Sequence, residues 1–381
     1  MTGASARPRR YAPLVPVDRQ ALLANHFNTL RLAMALAVVW SHSFAIFRGS
    51  EESEPVSRLL AGTYNAGNLA VLTFFVISGF LITRSYAQSR SPWSYLKKRI
   101  ARIYPGFLVA VLLCSFVVVP AFASRGPWPL TGEEWLGLAS NLALKGYILP
   151  SDAFGGAAVN GSLWSIPFEF WCYLGVLALG LAGLSRVRLV WPAVALATML
   201  VRTWLDLTGR HPGGGMLQPI IGPAYWWFVV LPPFALGAAA LAWGQSIPRS
   251  RLLLGALVGA TILAAHLPVA DAYRLALTRF LLPPALCYAT LFVAFSPRRV
   301  FDAAKWGDVS YGTYLYAFPI QRMIEATVVD RLGFAGALVA SMLLSVLAGT
   351  LSWLLVERWF VQVRKPARAP VLTNEATLVA P

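Results

Sequence analysis

The sequence predicts an all-α fold: a polytopic membrane protein with about ten transmembrane helices and both termini in the cytoplasm. Of its 381 residues, 57% are hydrophobic and only 13% are charged, whereas a soluble domain carries about a quarter charged residues. The apolar residues occur in blocks of about 20, the helix length that crosses a ~30 Å hydrocarbon core. A β-barrel is disfavoured, because its strands are short and alternate apolar with polar residues.

Ten apolar segments have the length of membrane-spanning helices. In chain order they cover residues 28–47, 66–84, 103–123, 164–184, 187–205, 225–243, 252–270, 275–295, 308–328 and 333–356. They predict one membrane domain over residues 26–360, with a cytoplasmic tail at 1–25 and another at 361–381. No cleavable signal peptide is expected, because residues 1–25 are polar and lack a short apolar core.

The basic residues orient these helices. With residues 1–25 in the cytoplasm, most of the 32 Lys and Arg residues also fall on the cytoplasmic side, where membrane proteins concentrate them. Basic loops that face anionic lipid therefore account for the net charge of +16, and nucleic acid is not an expected partner. The longest connection, Ser124 to Gly161, is expected outside as a lid or binding surface, with a merely covering or disordered loop as the alternative.

The three cysteines predict neither a disulfide framework nor a metal site. Cys114, Cys172 and Cys287 all lie within apolar segments, where a free cysteine usually serves as a small packing residue. Their spacing does not match a zinc motif, and no metal is expected.

Two ionisable residues stand out within the first span. Arg31 and His42 are eleven residues apart, which is about three helical turns, so they share one helix face about 16 Å apart. Ionisable groups inside a spanning helix are costly and usually line a cavity or mark a site. The alternative is that Arg31 reaches the lipid headgroups and His42 is a packing residue.

A basic cluster, Lys97 to Arg102, immediately precedes the third span. Arg99 and Arg102 are three residues apart and form one cationic fork on a helix, with Lys98 beside them. Two guanidinium groups suit phosphates, because their planar donors bind phosphate oxygens in pairs. The alternative is a topology anchor that binds anionic lipid headgroups.

The fourth span begins with Trp164 and carries a carboxylate. Glu169 and Tyr173 are four residues apart and share a helix face. A carboxylate near the bilayer interior needs a partner, and His42 or an arginine is the expected one. A carboxylate beside an imidazole fixes its tautomer and raises its basicity. A structural ion pair between helices is the alternative.

Two further segments combine small and aromatic residues. Ser78 and Gly79, within Phe74–Leu81, allow close approach of a neighbouring backbone. Tyr311 and Tyr314 lie in a Ser-Tyr-Gly-x-Tyr-Leu segment. The aromatic side chains either line a pocket or simply pack.

Taken in order, these segments resemble the acyltransferase 3 family of integral membrane acyltransferases. The matching pieces run from about residue 28 to 320 and are Arg31-x10-His42, Phe-Phe-x-x-Ser-Gly-Phe-Leu at 74–81, Arg99-x-x-Arg102 with Pro105, Trp164-Ser165 with Glu169 and Tyr173, and Ser310-Tyr311-Gly312-x-Tyr314-Leu315. One position departs from the family pattern: Ala317 stands where many members have a histidine.

The resemblance implies transfer of an acyl group, often acetyl, from cytoplasmic acyl-CoA to a hydroxyl of a sugar or exported glycan, at the bacterial inner membrane. Acyl-CoA is then the donor substrate, and the bilayer and a glycan acceptor are the other partners. The oligomeric state is left open.

The resemblance implies the reaction, and the positions of the marked residues suggest a role for each of them. Arg99, Arg102 and Lys98 would hold the phosphates of coenzyme A, and Arg31 would guide the donor or stabilise charge on the thioester carbonyl. His42 would be the general base, or would carry the acyl group itself, with Glu169 orienting it. The predicted substrate-binding residues are Ser78, Trp164, Tyr173, Tyr311 and Tyr314.

The same residues also allow a non-enzymatic function. Buried Arg, His and Glu residues also form proton relays, so a proton-coupled transporter or a permease for a glycan or lipid carrier fits the composition. No inverted repeat or matched pair of broken helices, which many transporters show, is visible in the sequence.

Overall fold

The structure is a computed structural model that describes residues 11–124, 130–144, 152–213, 215–297 and 303–361. Within these ranges the chain is helical and contains no β-strand, which confirms the all-helical prediction. Residues 1–10 and 362–381, which belong to the two predicted cytoplasmic tails, lie outside the described residues.

Ten helices of the described chain coincide with the ten predicted spans. They are α1 (Phe27–Arg48), α2 (Ala66–Ala87), α3 (Pro92–Leu113), α4 (Ser165–Leu181), α5 (Val190–Thr208), α6 (Ala224–Trp243), α7 (Arg251–Ala265), α8 (Asp271–Ala294), α9 (Val309–Thr327) and α10 (Val329–Leu355). α3 continues through a π-helical turn at Cys114–Val118 and a last α-helical turn at Val119–Phe122. Shorter helices lie at Arg19–Leu23, Pro55–Leu59, Gly132–Leu142 and Gln218–Ile221.

Eight helices of the described chain are long and apolar enough to cross a membrane. α7 is not among them because it has only 15 residues, fewer than the ~20 that span the hydrocarbon core. α9 is not among them either, and its last turns carry Gln321, Arg322 and Glu325. The chain is therefore a multi-pass membrane protein, while the count of ten crossings and the cytoplasmic termini stay predictions.

α1 has three long helix neighbours in the bundle. It packs against α2, α9 and α10, so both residues marked in the first span are surrounded by other helices rather than by lipid alone. α2 also packs against α6, and α6 against α5. This arrangement places α1, α2, α3, α4 and α9 around a common polar interior.

The contact between α2 and α6 depends on two glycines. A Cβ atom at Gly79 would lie 1.9 Å from the carbonyl oxygen of Phe234, and one at Gly237 would lie 2.1 Å from that of Val76. No side chain fits at either distance, so the two backbones touch. The small residues that suggested close helix approach in the sequence do serve that purpose at Gly79.

Replacing Gly79 by alanine is expected to destabilise the protein strongly. The added methyl group must push α2 and α6 apart, and overpacking of this kind costs about 1–3 kcal/mol or more. Thermal unfolding of the detergent-solubilised variant measures the effect. Gly175→Ala is the matched control, because a Cβ at Gly175 of α4 meets nothing within 4 Å. Equal unfolding temperatures for the two variants would contradict the close contact.

The connection between α3 and α4 does not run entirely as an outside loop. Its helix Gly132–Leu142 lies antiparallel to α3, because Trp135 packs on Phe116 (ring centroids 5.9 Å apart) and Tyr104 donates a hydrogen bond to the carbonyl of Leu142. Tyr104 and Phe116 are twelve residues apart in α3, about 18 Å. The helix therefore runs back alongside α3.

The exposed face of this returning helix is apolar, with Trp135 and Leu136 exposed. The connection that contains this helix starts and ends at the same end of α3, since Ser124 donates to Asp152 at 2.9 Å. An apolar exposed face beside a spanning helix suits contact with lipid. Polar composition around this helix had suggested a solvated loop, but the face itself is not polar.

Candidate functional site

A cavity of about 1020 Å³ lies between α1, α2, α3, α4 and the start of α9. It is hereafter called the central cavity. Nine of the eleven residues predicted from the sequence as site residues line it, and they are Arg31, Ser78, Lys98, Arg99, Arg102, Glu169, Tyr173, Tyr311 and Tyr314. His42 and Trp164 do not line it.

The charge of the central cavity is strongly positive. Its basic lining residues are Arg31, Arg84, Arg90, Lys97, Lys98, Arg99 and Arg102, and its acidic ones are Glu169 and Asp308. Exposure falls along the cavity, from exposed Arg90 and Lys98 at the mouth to buried Tyr173 and Tyr314 at the deep end. The cavity is thus a basic funnel whose lining becomes less exposed with depth.

One carboxylate joins two of the predicted arginines across three elements. Asp308, immediately before α9, lies 2.6 Å from Arg102 of α3 and 3.6 Å from Arg31 of α1. Its other hydrogen bond comes from Ser310, at 2.7 Å. Burial tends to raise the pKa of Asp308, but the two guanidinium groups and the Ser310 hydroxyl lower it below its ordinary value. Asp308 therefore remains an anion at physiological pH.

Asp308→Asn is expected to destabilise the protein by about 1.5–3 kcal/mol, because Arg102 would lose a charge-assisted hydrogen bond and Arg31 would lose its ion-pair partner. The lowered pKa means that the carboxylate stabilises the fold above the unfolded-state pKa, and that this stability is lost as pH falls through the folded-state pKa. The difference in unfolding free energy from wild type should therefore be constant near neutral pH and shrink in acid below about pH 4.

Chemical denaturation of the solubilised protein at several pH values measures this difference. Asp271→Asn is the control, since Asp271 is 81% exposed and, within the described residues, its ion pair is with Arg274 of its own helix. An Asp308→Asn variant as stable as the Asp271→Asn variant would show that Asp308 does not hold the arginines.

Arg99 differs from Arg102 in its surroundings. Among the described residues Arg99 has no ion pair. Its guanidinium carbon lies 5.9 Å and 5.8 Å from the rings of Tyr95 and Tyr173, and Nη2 lies 3.5 Å from the hydroxyl of Ser85. The fork expected from the sequence therefore divides into one arginine held by a carboxylate and one available to a ligand.

Glu169 sits at the deep end of the central cavity with partners other than the expected one. Its carboxylate accepts hydrogen bonds from Tyr173, at 2.6 Å, and from Ser78 of α2. No bond to His42 is present among the described residues. Glu169 thus orders the cavity wall, and the sequence-based expectation that it orients His42 has no support from this geometry.

Tyr314 closes the deep end of the cavity. Its hydroxyl donates to the carbonyl of Ser162 at 2.8 Å and accepts from Ser165 at 2.7 Å, so α9 is tied to the start of α4. Tyr311, one turn earlier, donates to the carbonyl of Ile103 at 2.8 Å. Both tyrosines have structural bonds and also face the cavity.

His42 lies just beyond the closed end. Its ring packs edge-on against Phe318, with centroids 5.2 Å apart, and Phe318 is one helical turn after Tyr314 on α9. Gly161 also packs against the Phe318 ring: a Cβ atom at Gly161 would lie 2.6 Å from it. Nδ1 of His42 is buried without a hydrogen-bond partner in the described part of the chain.

Trp164 also lies on the far side of this closure. It packs against Trp226 of α6, with ring centroids 4.7 Å apart, and against Phe168 of its own helix. The structure therefore divides the predicted residues into a group in the central cavity and a pair, His42 and Trp164, beyond it.

Sequence reasoning missed two residues of this region. Asp308 is a single acid at the start of a span, two residues before the noted Ser310, and only the fold shows its arginine partners. Gln321 is fully buried and its amide donates to the carbonyl of Val39 and the hydroxyl of Ser43, both at 2.8 Å. These two positions flank His42 on α1, so Gln321 ties that part of α1 to α9.

The fold and the site define a multi-pass membrane protein with a basic cavity between its helices, and comparison with known proteins gives its class. The family model described as an acyltransferase domain matches residues 25–354. The chain belongs to this acyltransferase 3 family. It is a membrane enzyme that transfers an acyl group to a hydroxyl.

Three relatives are similar to this chain over most of its length. An O-acetyl transferase of Shigella phage Sf6 is 26% identical over 90% of this chain and 98% of its own. Acyltransferase MdmB of Streptomyces mycarofaciens is 27% identical over 87% and 92%. Nodulation protein 10 of Rhizobium leguminosarum bv. viciae is 25% identical over 89% and 94%. No solved structure gives a significant match.

Proposed function

We propose that the protein transfers an acetyl group from cytoplasmic acetyl-CoA to a hydroxyl of a sugar in an exported glycan, at the bacterial inner membrane. The observation that carries this proposal is the central cavity, a basic funnel whose deep end approaches His42. The O-acetyl transferase relative supports the acetyl group. The basic residues around the mouth support a cytoplasmic opening.

The charge of the cavity favours a polyanionic donor. Seven basic side chains against two carboxylates leave an excess of five positive charges. Guanidinium groups bind phosphate oxygens in pairs, and coenzyme A carries a diphosphate and a further phosphate. In our proposal Arg99, with Lys98 at the mouth, holds these phosphates. Arg102 is held in place by Asp308 and adds to the positive electrostatic potential of the cavity.

The acyl end of the donor would then point toward the deep end. Arg31 lines the cavity with 20% of its side chain exposed. It shares Asp308 with Arg102 and lies about 16 Å from His42 along α1, so it guides the pantetheine arm of the donor toward the deep end. Glu169 keeps Ser78 and Tyr173 in the wall along which the acyl arm lies. Tyr311 and Tyr314 complete that wall.

His42 acts as the general base in this scheme. It takes the proton of the acceptor hydroxyl as that oxygen attacks the thioester carbon, the carbon–sulfur bond breaks, and the imidazolium returns the proton to the thiolate of coenzyme A. An acyl-imidazole on His42 is the alternative route. Either route requires Phe318 or Tyr314 to move, because the two rings separate the cavity from His42.

The experiment that tests the function is a comparison of cell-surface glycan from a producing strain with and without this gene. Base-labile acetyl groups on the glycan, mapped by NMR, should be present only with the gene. They should return when the wild-type gene is restored. An unchanged acetylation pattern would contradict the proposed acceptor class, and acetyl-CoA turnover by the purified protein would still test the donor separately.

A further inference from the structure

A second polar cluster lies far from the mouth of the central cavity. Arg279 of α8 donates to Asp206 of α5 at 2.7 Å and to Tyr225 of α6 at 3.2 Å. Tyr225 also donates to Asp206 at 3.2 Å. Arg202, one turn before Asp206, lies 3.9 Å from its other carboxylate oxygen. These four residues are hereafter called the distal cluster.

The position of the distal cluster follows from α2. The guanidinium carbon of Arg202 lies 5.8 Å from the ring of Tyr64, which precedes α2 by two residues. Arg84, which lines the central cavity, is twenty residues further along the same segment, or about 30 Å away. The cluster thus lies at the opposite end of the bundle.

The distal cluster has more charge and more hydrogen-bonding capacity than its own residues satisfy. Two arginines share one carboxylate, although the side chains of Arg202 and Asp206 are only 5% and 1% exposed. Within the described residues, Nε and Nη1 of Arg202 and Oδ2 of Asp206 form no hydrogen bond of ordinary length. Arg202 Nε and Asp206 Oδ2 face each other only at ion-pair distance, 3.9 Å, and the Tyr64 hydroxyl beside Arg202 forms no close hydrogen bond either. Buried polar groups are nearly always bonded, so an anion or water molecules should complete the cluster.

Arg279 connects this cluster to an accessible aromatic surface. Its side chain is 21% exposed. Its partner Tyr225 packs against His211, with centroids 4.8 Å apart, and against Trp226 at 6.2 Å. Trp226 is 39% exposed and continues the surface to Trp164. A guanidinium beside exposed aromatic faces suits a sugar that carries an acidic group, because the ring packs on the aromatic side chains and the anion pairs with arginine.

We infer that Arg279, Tyr225, Trp226 and Trp164 bind the acceptor, and that the acceptor is a saccharide with a carboxylate or phosphate next to the sugar that is acylated. The inference rests on the proposed function. The surface also leads to the predicted base: Trp164 is three residues after Gly161, Gly161 packs on Phe318, and Phe318 packs on His42. Asp206 holds Arg279 in place, and Arg202 adds a positive charge beside Asp206.

The test replaces Arg279 and compares it with a near neighbour. In Arg279→Gln the remaining Arg202–Asp206 pair is neutral, so the variant should fold. Arg274→Gln is the matched control, because Arg274 lies on the same helix with 26% exposure and, in the part of the chain that the structure describes, forms its ion pair with Asp271. A second variant, Arg279→Lys, keeps the charge and the Asp206 pair but loses the planar fork.

The probes are glucuronic acid, glucose 1-phosphate and glucose, added to purified protein in lipid nanodiscs. The unfolding temperature should rise with the anionic sugars and not with glucose. The rise should disappear in Arg279→Gln, shrink in Arg279→Lys and persist in Arg274→Gln. Comparing the rise in unfolding temperature with glucuronic acid and with glucose 1-phosphate shows whether the acceptor's acidic group is a carboxylate or a phosphate.

An equal response to glucose, or a response to the acidic sugars that persists in Arg279→Gln, would overturn the inference. Glycan acetylation in cells should also fall at least tenfold in Arg279→Gln, with acetyl-CoA binding within twofold of wild type. Full glycan acetylation in this variant would show that the distal cluster only joins helices. If the wild-type protein did not bind acetyl-CoA, the proposed function itself would be rejected.

Discussion

Replacement of His42 by alanine should reduce acyl transfer by about 10²- to 10⁴-fold, the usual contribution of a positioned general base. Binding of acyl-CoA should be unchanged, because His42 lies beyond the closed end of the central cavity and not in its lining. Release of coenzyme A from acetyl-CoA, measured with purified protein and an acceptor-containing membrane extract, gives the turnover. Equilibrium binding of labelled acetyl-CoA gives the affinity.

His266→Ala is the control for this substitution. His266 forms a hydrogen bond with the backbone carbonyl of Leu59 at 3.0 Å and takes no part in the proposed reaction. A wild-type turnover rate in His42→Ala, at normal protein level, would remove His42 from the mechanism. Label trapped on wild-type protein after acid quench, and absent from the His42→Ala variant, would favour the acyl-imidazole route over general-base catalysis.

Arg99→Ala should weaken acetyl-CoA binding by about 10- to 100-fold. A hydrogen bond to a charged group contributes about 1.5–3 kcal/mol, and each 1.4 kcal/mol is a factor of ten in affinity. The fold should be preserved, because Arg99 has no ion pair among the described residues. The dissociation constant, measured by isothermal titration in detergent, tests this directly.

Arg188→Ala is the matched control for Arg99→Ala. Arg188 is an exposed arginine in the connection between α4 and α5 and is outside the lining of the central cavity. It should bind acetyl-CoA as wild type does. An unchanged affinity of Arg99→Ala for acetyl-CoA would indicate that this basic cluster serves only to orient the protein in the membrane.

Local sequence rules predicted much of this protein because they act within one helix. The apolar blocks gave the ten helices, and the spacing of Arg31 from His42 placed both on α1, facing other helices. Gly79 was recognisable as a contact residue, since a small residue inside a spanning helix has few other uses. The cationic cluster at Lys97–Arg102 was expected before the third span, but it lies within α3, which begins at Pro92.

Contacts between distant helices were beyond such rules. Asp308 takes Arg102 and Arg31 as partners through the packing of α3 and α1 on the start of α9, and nothing in the spacing of these residues indicates that. Glu169 has Ser78 of α2 as a partner for the same reason, whereas its contact with Tyr173 lies within α4, as the four-residue spacing indicated. The helix Gly132–Leu142 was hidden because polar residues surround a short apolar face, so composition over the whole connection suggested a loop.

The claim that the donor cavity opens to the cytoplasm is tested most directly by finding the side of the membrane on which acetyl-CoA must be supplied for its thioester to be consumed. The purified protein is reconstituted in vesicles, and its orientation is assigned by labelling Glu52→Cys and Gln88→Cys variants with an impermeant reagent. The native cysteines are buried, so they should not react. Coenzyme A should be released only when acetyl-CoA is supplied on the Gln88 side, at the mouth formed by Arg99. Release from acetyl-CoA supplied only on the Glu52 side would contradict a donor cavity that opens to the cytoplasm.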